Sequence, residues 1–230
     1  MKTTERQVHP HSGKVRAETR HPSLGLAGLI ILAGLGLSAG AAFGAPLAQS
    51  TFGADAEGWS VTGDAESSMW DSATGNPPGS FKGVDAVLGG TWYFVAPAKF
   101  RGDKSAAYGE TLSYDIWITS TDSPTWNDAC ISLIGPLTLY YRGLHPPKLA
   151  WTHFEVLLTE TAGWKKTDGQ TPTEQEMQNV LGGLTALHIR GEYKTGADYA
   201  YLDNVVMTPE PATMALLALG GLAMLLRKRR

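Results

Sequence analysis

An all-β, antiparallel sandwich with one short helix, carried between two apolar terminal segments, is the fold class this sequence predicts. Three observations predict it. Leu112, Tyr114, Ile116 and Ile118 alternate with Thr111, Ser113, Asp115 and Trp117, the period-two pattern of a half-buried strand. Seven further strand-like runs (57–62, 91–95, 129–134, 137–142, 151–158, 184–192 and 199–208) are separated by Gly and Pro turn signals. A single stretch carries both start and stop signals for a helix.

The chain begins with Lys2, Arg6, Lys14, Arg16 and Arg20 against Glu5 and Glu18, followed by an apolar run over 24–37 and a small-residue zone ending at Ala45. A basic leader, an apolar core and small residues make a secretory signal over residues 1–45, cut after Ala41 or Gly44. The alternative is an uncleaved anchor, since 24–43 is long enough to span a bilayer as a helix.

Within 46–208 the turns fall at 75–79 (Gly-Asn-Pro-Pro-Gly), Gly89-Gly90, Asp122-Ser123-Pro124, Gly135-Pro136 and Pro146-Pro147. The helix is expected to open with Thr171 as N-cap, Pro172 in the first turn and Glu174 closing a capping box. Met177, Val180 and Leu181 form its apolar face, and Gly182-Gly183 ends it. Cys130 is the single cysteine, which rules out an intrachain disulfide, and its apolar setting reads as a buried thiol.

The last segment, 209–230, is built from Pro209-Glu210-Pro211, an uncharged apolar run over 212–226, and Arg227-Lys228-Arg229-Arg230. A helix over 212–226 is about 22 Å long, short of a bilayer core of about 30 Å. The terminal cations extend its reach by snorkelling and hold the C-terminus on the cytoplasmic side. It is therefore expected to be a C-terminal transmembrane helix. Both apolar segments carry cations on their outer flanks, so the chain between them faces away from the cytoplasm. The Pro-Glu-Pro triplet, the apolar stretch with Gly220-Gly221 and the basic end resemble the PEP-CTERM sorting signal of Gram-negative bacteria. That resemblance implies an exosortase as partner, the membrane as a transient anchor, cleavage near Pro209–Pro211, and delivery to the cell envelope or an extracellular matrix.

The exported part, 46–208, holds ten Lys and Arg against nineteen Asp and Glu, a formal balance of −9 that the basic termini hide. Nucleic acid is excluded as a partner, because its phosphates need a basic face.

Residues 55–59 (Asp-Ala-Glu-Gly-Trp), Trp70-Asp71, the 75–79 turn, 92–97 (Trp-Tyr-Phe-Val-Ala-Pro) and 102–109 (Gly-Asp-Lys-Ser-Ala-Ala-Tyr-Gly) are similar to the laminin B (laminin type IV) domain. So are Trp151-Thr152, Gly163-Trp164, 177–181, 187–193 and 202–206, and the resemblance covers nearly all of 50–208. It implies a jelly-roll sandwich of the galactose-binding-like kind, related in shape to carbohydrate-binding modules. It specifies fold better than activity.

By analogy with those modules, Asp55, Glu57 and Asp203 are candidate ligands for a structural Ca²⁺, with backbone carbonyls completing the shell. The simpler reading has Asp203 capping a turn or pairing with Arg190. Trp126 and Trp164 sit in loop-like stretches, and the adjacent Tyr140 and Tyr141 must face opposite ways along a strand. These four are the candidate sugar-stacking residues, set against scattered surface aromatics without a ligand. Trp59, Trp92 and Trp151 read as core. No His-Glu-x-x-His motif or Gly-x-Ser-x-Gly elbow is present, and His145, His153 and His188 are isolated in sequence. Arg101-Gly102-Asp103 is expected to be a plain turn. The expected function is an exported, non-catalytic envelope or matrix protein that adheres to, or associates with, exopolysaccharide, as in a biofilm. A specific carbohydrate-binding module is the alternative, with a glycan-acting enzyme third.

Overall fold

The computed structural model describes residues 45–86, 88–122, 129–143 and 147–210. The apolar leader, the tail from Pro211 onward, Trp126 and His145 lie outside the described residues. Among the described residues no helix is long and apolar enough to cross a membrane.

Two six-stranded sheets carry the chain, and every strand pair is antiparallel. The strands are β1 (Ala48–Ser50), β2 (Ser60–Thr62), β3 (Ser67–Gly75), β4 (Pro78–Asp85), β5 (Tyr93–Val95), β6 (Thr111–Ile118), β7 (Ile131–Ile134), β8 (Thr138–Tyr141), β9 (Thr152–Leu157), β10 (Lys165–Lys166), β11 (Ala186–Arg190) and β12 (Asp198–Met207). The first sheet runs β3-β4-β12-β6-β9, with β1 also on β12; the second runs β10-β8-β7-β11-β5-β2.

Period-two burial explains how the sheets meet. Leu112, Tyr114, Ile116 and Ile118 of β6 point inward with Phe81, Ala200 and Leu202. Phe94, Ile131, Leu133, Leu139, Leu187 and Ile189 answer from the second sheet. Each such large side chain contributes roughly 1.5–3 kcal/mol on burial. An aromatic edge joins the layers: Phe81 of the first sheet meets Phe94 of the second at 5.9 Å between ring centroids. Trp92 is fully buried because Gly83 and Gly191 make room for its ring. A Cβ at Gly191 would lie 2.0 Å from Trp92 Cζ3, and one at Gly83 would lie 2.4 Å away.

The single helix, α1 (Glu174–Gly182), departs from expectation at its start. Thr173, not Thr171, is the N-cap; its hydroxyl accepts the Glu176 N–H at 3.2 Å and Glu176 Oε2 accepts the Thr173 N–H at 2.7 Å. The sequence offers two overlapping capping boxes, and the later one leaves Pro172 buried just ahead of the cap, where it and buried Met177 occupy the positions of a hydrophobic staple. Met177, Val180 and Leu181 are buried and Gly183 caps the C-terminus, as expected.

The 75–79 turn joins a hairpin the sequence did not reveal. It links β3 to β4, and β3 (Ser-Ser-Met-Trp-Asp-Ser-Ala-Thr-Gly) lacks apolar alternation because it is an edge strand with mostly exposed residues. Cys130 is buried immediately before β7. Arg101-Gly102-Asp103 is not the plain turn expected: Gly102, at φ 77°, forms an isolated antiparallel bridge with Leu184, while Arg101 donates to the Ala96 carbonyl and Asp103 accepts the Ser105 N–H.

Candidate functional site

Strand register builds a row of rings across the outer face of the first sheet. Met69 of β3 stands opposite Lys82 of β4; Lys82 stands opposite Tyr201 of β12, and Tyr201 opposite Trp117 of β6. Ile116 pairs with Thr152 of β9, which brings the preceding Trp151 beside Trp117. Trp117 and Tyr201 are stacked, with ring centroids 5.4 Å apart and planes 26° apart. Trp151 lies 6.1 Å from Trp117, and Tyr199 stands edge-on to Tyr201 at 5.7 Å. The Lys82 ammonium sits 4.2 Å from the Tyr199 ring centroid, a cation–π contact. From β4 to β9 the row spans about 14 Å, three interstrand spacings. Met69 and Tyr199 are 49% and 38% exposed, Trp117 and Trp151 are half-buried, and Tyr201 is buried beneath its neighbours.

A polar row runs beside it, two residues along each strand. Asp115 pairs in register with His153 on one side and Asp203 on the other. His153 Nδ1 and Asp115 Oδ1 are 2.6 Å apart. Asp115 Oδ2 accepts from the side-chain amides of Asn204 at 2.8 Å and Asn76 at 3.2 Å. Asp203 Oδ2 accepts the Asn76 N–H and Oδ1 the Asn204 N–H, both at 2.7 Å. Burial pushes the Asp203 carboxyl up to about 6, against the lowering by these backbone hydrogen bonds. A bulge between Asp203 and Val206, with Asn204 at φ 49°, resets the strand so that Val205 and Met207 return to the core. His153 keeps 59% of its side chain exposed, so the polar row stays reachable from solvent.

The expected residues are distributed differently. Trp151 is half-buried on this outer face rather than in the core. Trp164 is fully buried and offers no surface to a ligand: Gly163 at φ 107° turns the chain, the indole N–H donates to the Leu157 carbonyl at 2.8 Å, and the ring meets Tyr141 edge-on at 5.2 Å. Tyr141 faces inward with it, while Tyr140 lines a pocket at the edge of the second sheet. The signal for the ring row was strand parity: Trp117, Tyr199 and Tyr201 all fall on the side of their strands opposite the core residues.

The candidate calcium ligands are each engaged by nearby groups, and Glu57 lies close enough to Asp203 to help raise its carboxyl. Asp55 accepts the Glu57 N–H, and Glu57 accepts the Thr51 and Phe52 N–H groups and pairs with Lys99. Asp203 caps the Asn76 turn, and Arg190 Nε donates instead to the Glu192 carbonyl at 2.5 Å. Another acidic group gathers at the far end of the sandwich. Oxygens of Asp64, Asp85 and Glu192 all lie within 4.8 Å of one another, close enough to share one cation. Asp198 stands nearby, and Trp92 ties it to the group: its N–H donates to Glu192 and its indole to Asp198. Burial, with repulsion from Asp64, Asp198 and Asp85, pushes Glu192 up to about 7; burial pushes Asp198 up to about 6. Asp85 and Asp198 also line a cavity of about 530 Å³ that opens at Tyr199, beside the ring row.

Comparisons with known proteins agree on the family. The profile described as Laminin B (Domain IV) matches residues 93–212, and that of the PEP-CTERM protein-sorting motif matches 208–230. Human laminin subunit gamma-2 is 30% identical over 171 residues, covering 69% of this chain and 13% of that protein. A basement membrane proteoglycan of Caenorhabditis elegans is 27% identical over 114 residues, covering 49% of this chain and 3% of that protein. The chain thus spans a small part of these relatives. Among solved structures, the L4b domain of human laminin alpha-2 aligns with a TM-score of 0.47 at 23% identity, over 53% of this chain and 71% of that one. The CBM22-1 xylan-binding domain of Paenibacillus barcinonensis Xyn10C aligns at 0.45 and 10% identity, over 73% of this chain and 97% of that one.

Proposed function

This chain belongs to the laminin B (Domain IV) family and ends in a PEP-CTERM sorting motif, and from that premise we propose that it is an exported, non-catalytic protein that an exosortase sorts to the cell envelope or matrix, where its sandwich holds a neutral extracellular polysaccharide. The motif marks an exported protein handled by an exosortase at the membrane. The observation that carries the binding reading is the paired rows on the outer face of the first sheet. A contiguous run of Trp151, Trp117, Tyr201 and Tyr199, tilted against one another except for the stacked Trp117–Tyr201 pair, offers ring surface to the apolar faces of sugars. The Asp115–His153 pair and Asn204 beside it suit their hydroxyls. Asp115 and Asp203 on that face, in a domain with a balance of −9, disfavour a polyanion there.

Affinity electrophoresis of the full chain in mild detergent, through gels cast with neutral polysaccharides, tests this reading. Retardation by at least one polymer is expected. Unchanged mobility on every polymer of a broad panel overturns the binding reading and leaves a sandwich with a purely structural place in the envelope.

A further inference from the structure

We propose a second glycan contact on the opposite sheet: the pocket formed by Tyr140, Arg142, Lys165 and the turn at 167–169 takes the carboxylate of a uronate residue in an acidic polysaccharide. It goes beyond the reading above, because it uses other residues and an anionic rather than a neutral ligand.

Only ten Lys and Arg serve residues 46–208, yet Arg142, Lys165 and Lys166 converge on one pocket of about 420 Å³. The fold places them. Leu139 of β8 is buried, so Tyr140 turns outward, and Arg142, two residues on, shares its side. Lys165 of β10 stands directly opposite Tyr140 in register. Lys166 is matched by Glu176 at 3.2 Å. Lys165 Nζ donates to the uncharged Thr171 hydroxyl at 2.8 Å, and among the described residues neither Lys165 nor Arg142 has a carboxylate partner. Asp168 also lines the pocket, with Oδ1 engaged by the Gln170 N–H at 2.9 Å within its own turn. Among the described residues, two cations without a carboxylate partner therefore line the pocket with the one carboxylate of Asp168, in a domain with a formal balance of −9.

The guanidinium fork of Arg142 matches the two oxygens of a carboxylate, and Lys165 adds a point charge beside it. Tyr140 supplies a flat wall for the sugar ring that bears that carboxylate. A free inorganic phosphate would engage the cations and leave the ring unused. The acidity of the rest of the domain is screened beyond about 8 Å at physiological salt, so the local charges decide.

The test is calorimetric titration of the full chain in mild detergent with oligogalacturonate, a neutral xylo-oligosaccharide of equal length, and inorganic phosphate, each at low and physiological salt. Arg142→Ala, Lys165→Ala, Arg142→Lys and Trp117→Ala are compared, with near-UV circular dichroism confirming the fold. Oligogalacturonate is expected to bind with salt-dependent affinity. Arg142→Ala and Lys165→Ala weaken it about tenfold, Arg142→Lys restores only part, and Trp117→Ala leaves it unchanged. The proposal is overturned if oligogalacturonate binds no more tightly than the neutral oligomer, if Arg142→Ala has no effect, or if phosphate competes as well as the oligouronide. Neutral-oligomer binding, read in the same titrations, reports separately on the first sheet.

Discussion

Trp117 and Tyr201 face each other across β6 and β12 as a stacked pair, 5.4 Å between centroids and 26° between planes, and the pair forms the middle of the ring row. Trp117 is half-buried and keeps part of its ring in solvent, whereas Tyr201 is only 8% exposed and backs it from below. Trp117→Ala is expected to weaken binding of a neutral polysaccharide by about tenfold or more, an aromatic contact being worth roughly 1 kcal/mol beyond its buried area. Tyr201→Phe keeps the ring and is expected to stay within about threefold. Quenching of tryptophan fluorescence by the polymer, with urea denaturation as the fold control, separates lost contact from lost stability.

Gly191 and Trp92 give a core prediction. Gly191→Ala drives a methyl into the indole at 2.0 Å, so either the ring or β11 and its following turn must move. Overpacking of this kind costs about 1–3 kcal/mol or more. A lower urea midpoint with unchanged slope is expected; an unchanged midpoint would mean that the Trp92 ring is not confined there.

The acidic group around Glu192 sets a pH dependence. Burial raises the folded-state carboxyl of Glu192 from 4.5 to about 7 and that of Asp198 from 3.8 to about 6. An acid whose folded value is raised is held protonated by the fold, so ionising it opposes folding. The destabilisation is absent below about pH 4, grows as pH rises and is complete above about pH 7. With chelator present, this group makes the domain less stable at pH 7.5 than at pH 5. Glu192→Gln is expected to raise the thermal midpoint at pH 7.5 and to leave pH 4 nearly unchanged. A midpoint that falls at both pH values would contradict this.

Helix capping discriminates between two threonines. Thr173→Ala removes the capping box and is expected to cost about 1 kcal/mol, whereas Thr171→Ala is expected to stay within about 0.5 kcal/mol. Equal effects in thermal denaturation would show that the cap is not at Thr173.

Much of this architecture was written in local pattern. The alternation in β6 gave both the core face, Leu112 to Ile118, and the outward parity of Trp117. The Gly182-Gly183 stop and the apolar face of α1 were equally plain. Its start was ambiguous because Thr-Pro-Thr-Glu-Gln-Glu holds two capping boxes and only packing of Pro172 chooses between them. Trp164 looked exposed from its Gly and Lys neighbours, yet a long-range contact with Tyr141 buries it. The paired rows and the acidic group could not be read from spacing. Trp151, Trp117 and Tyr201 come from distant segments that only strand register joins, and Asp64 and Glu192 reach Asp85 from connections outside the strands.

Oxidative footprinting of the full chain, with and without a neutral polysaccharide that retards it, tests the central claim most directly. Bound polymer is expected to protect Trp117, Trp151, Tyr199 and Met69 together, while Trp70 and Tyr140 keep their reactivity. Protection confined to any other surface, or none at all under saturating polymer, would contradict a glycan seat on the outer face of the first sheet.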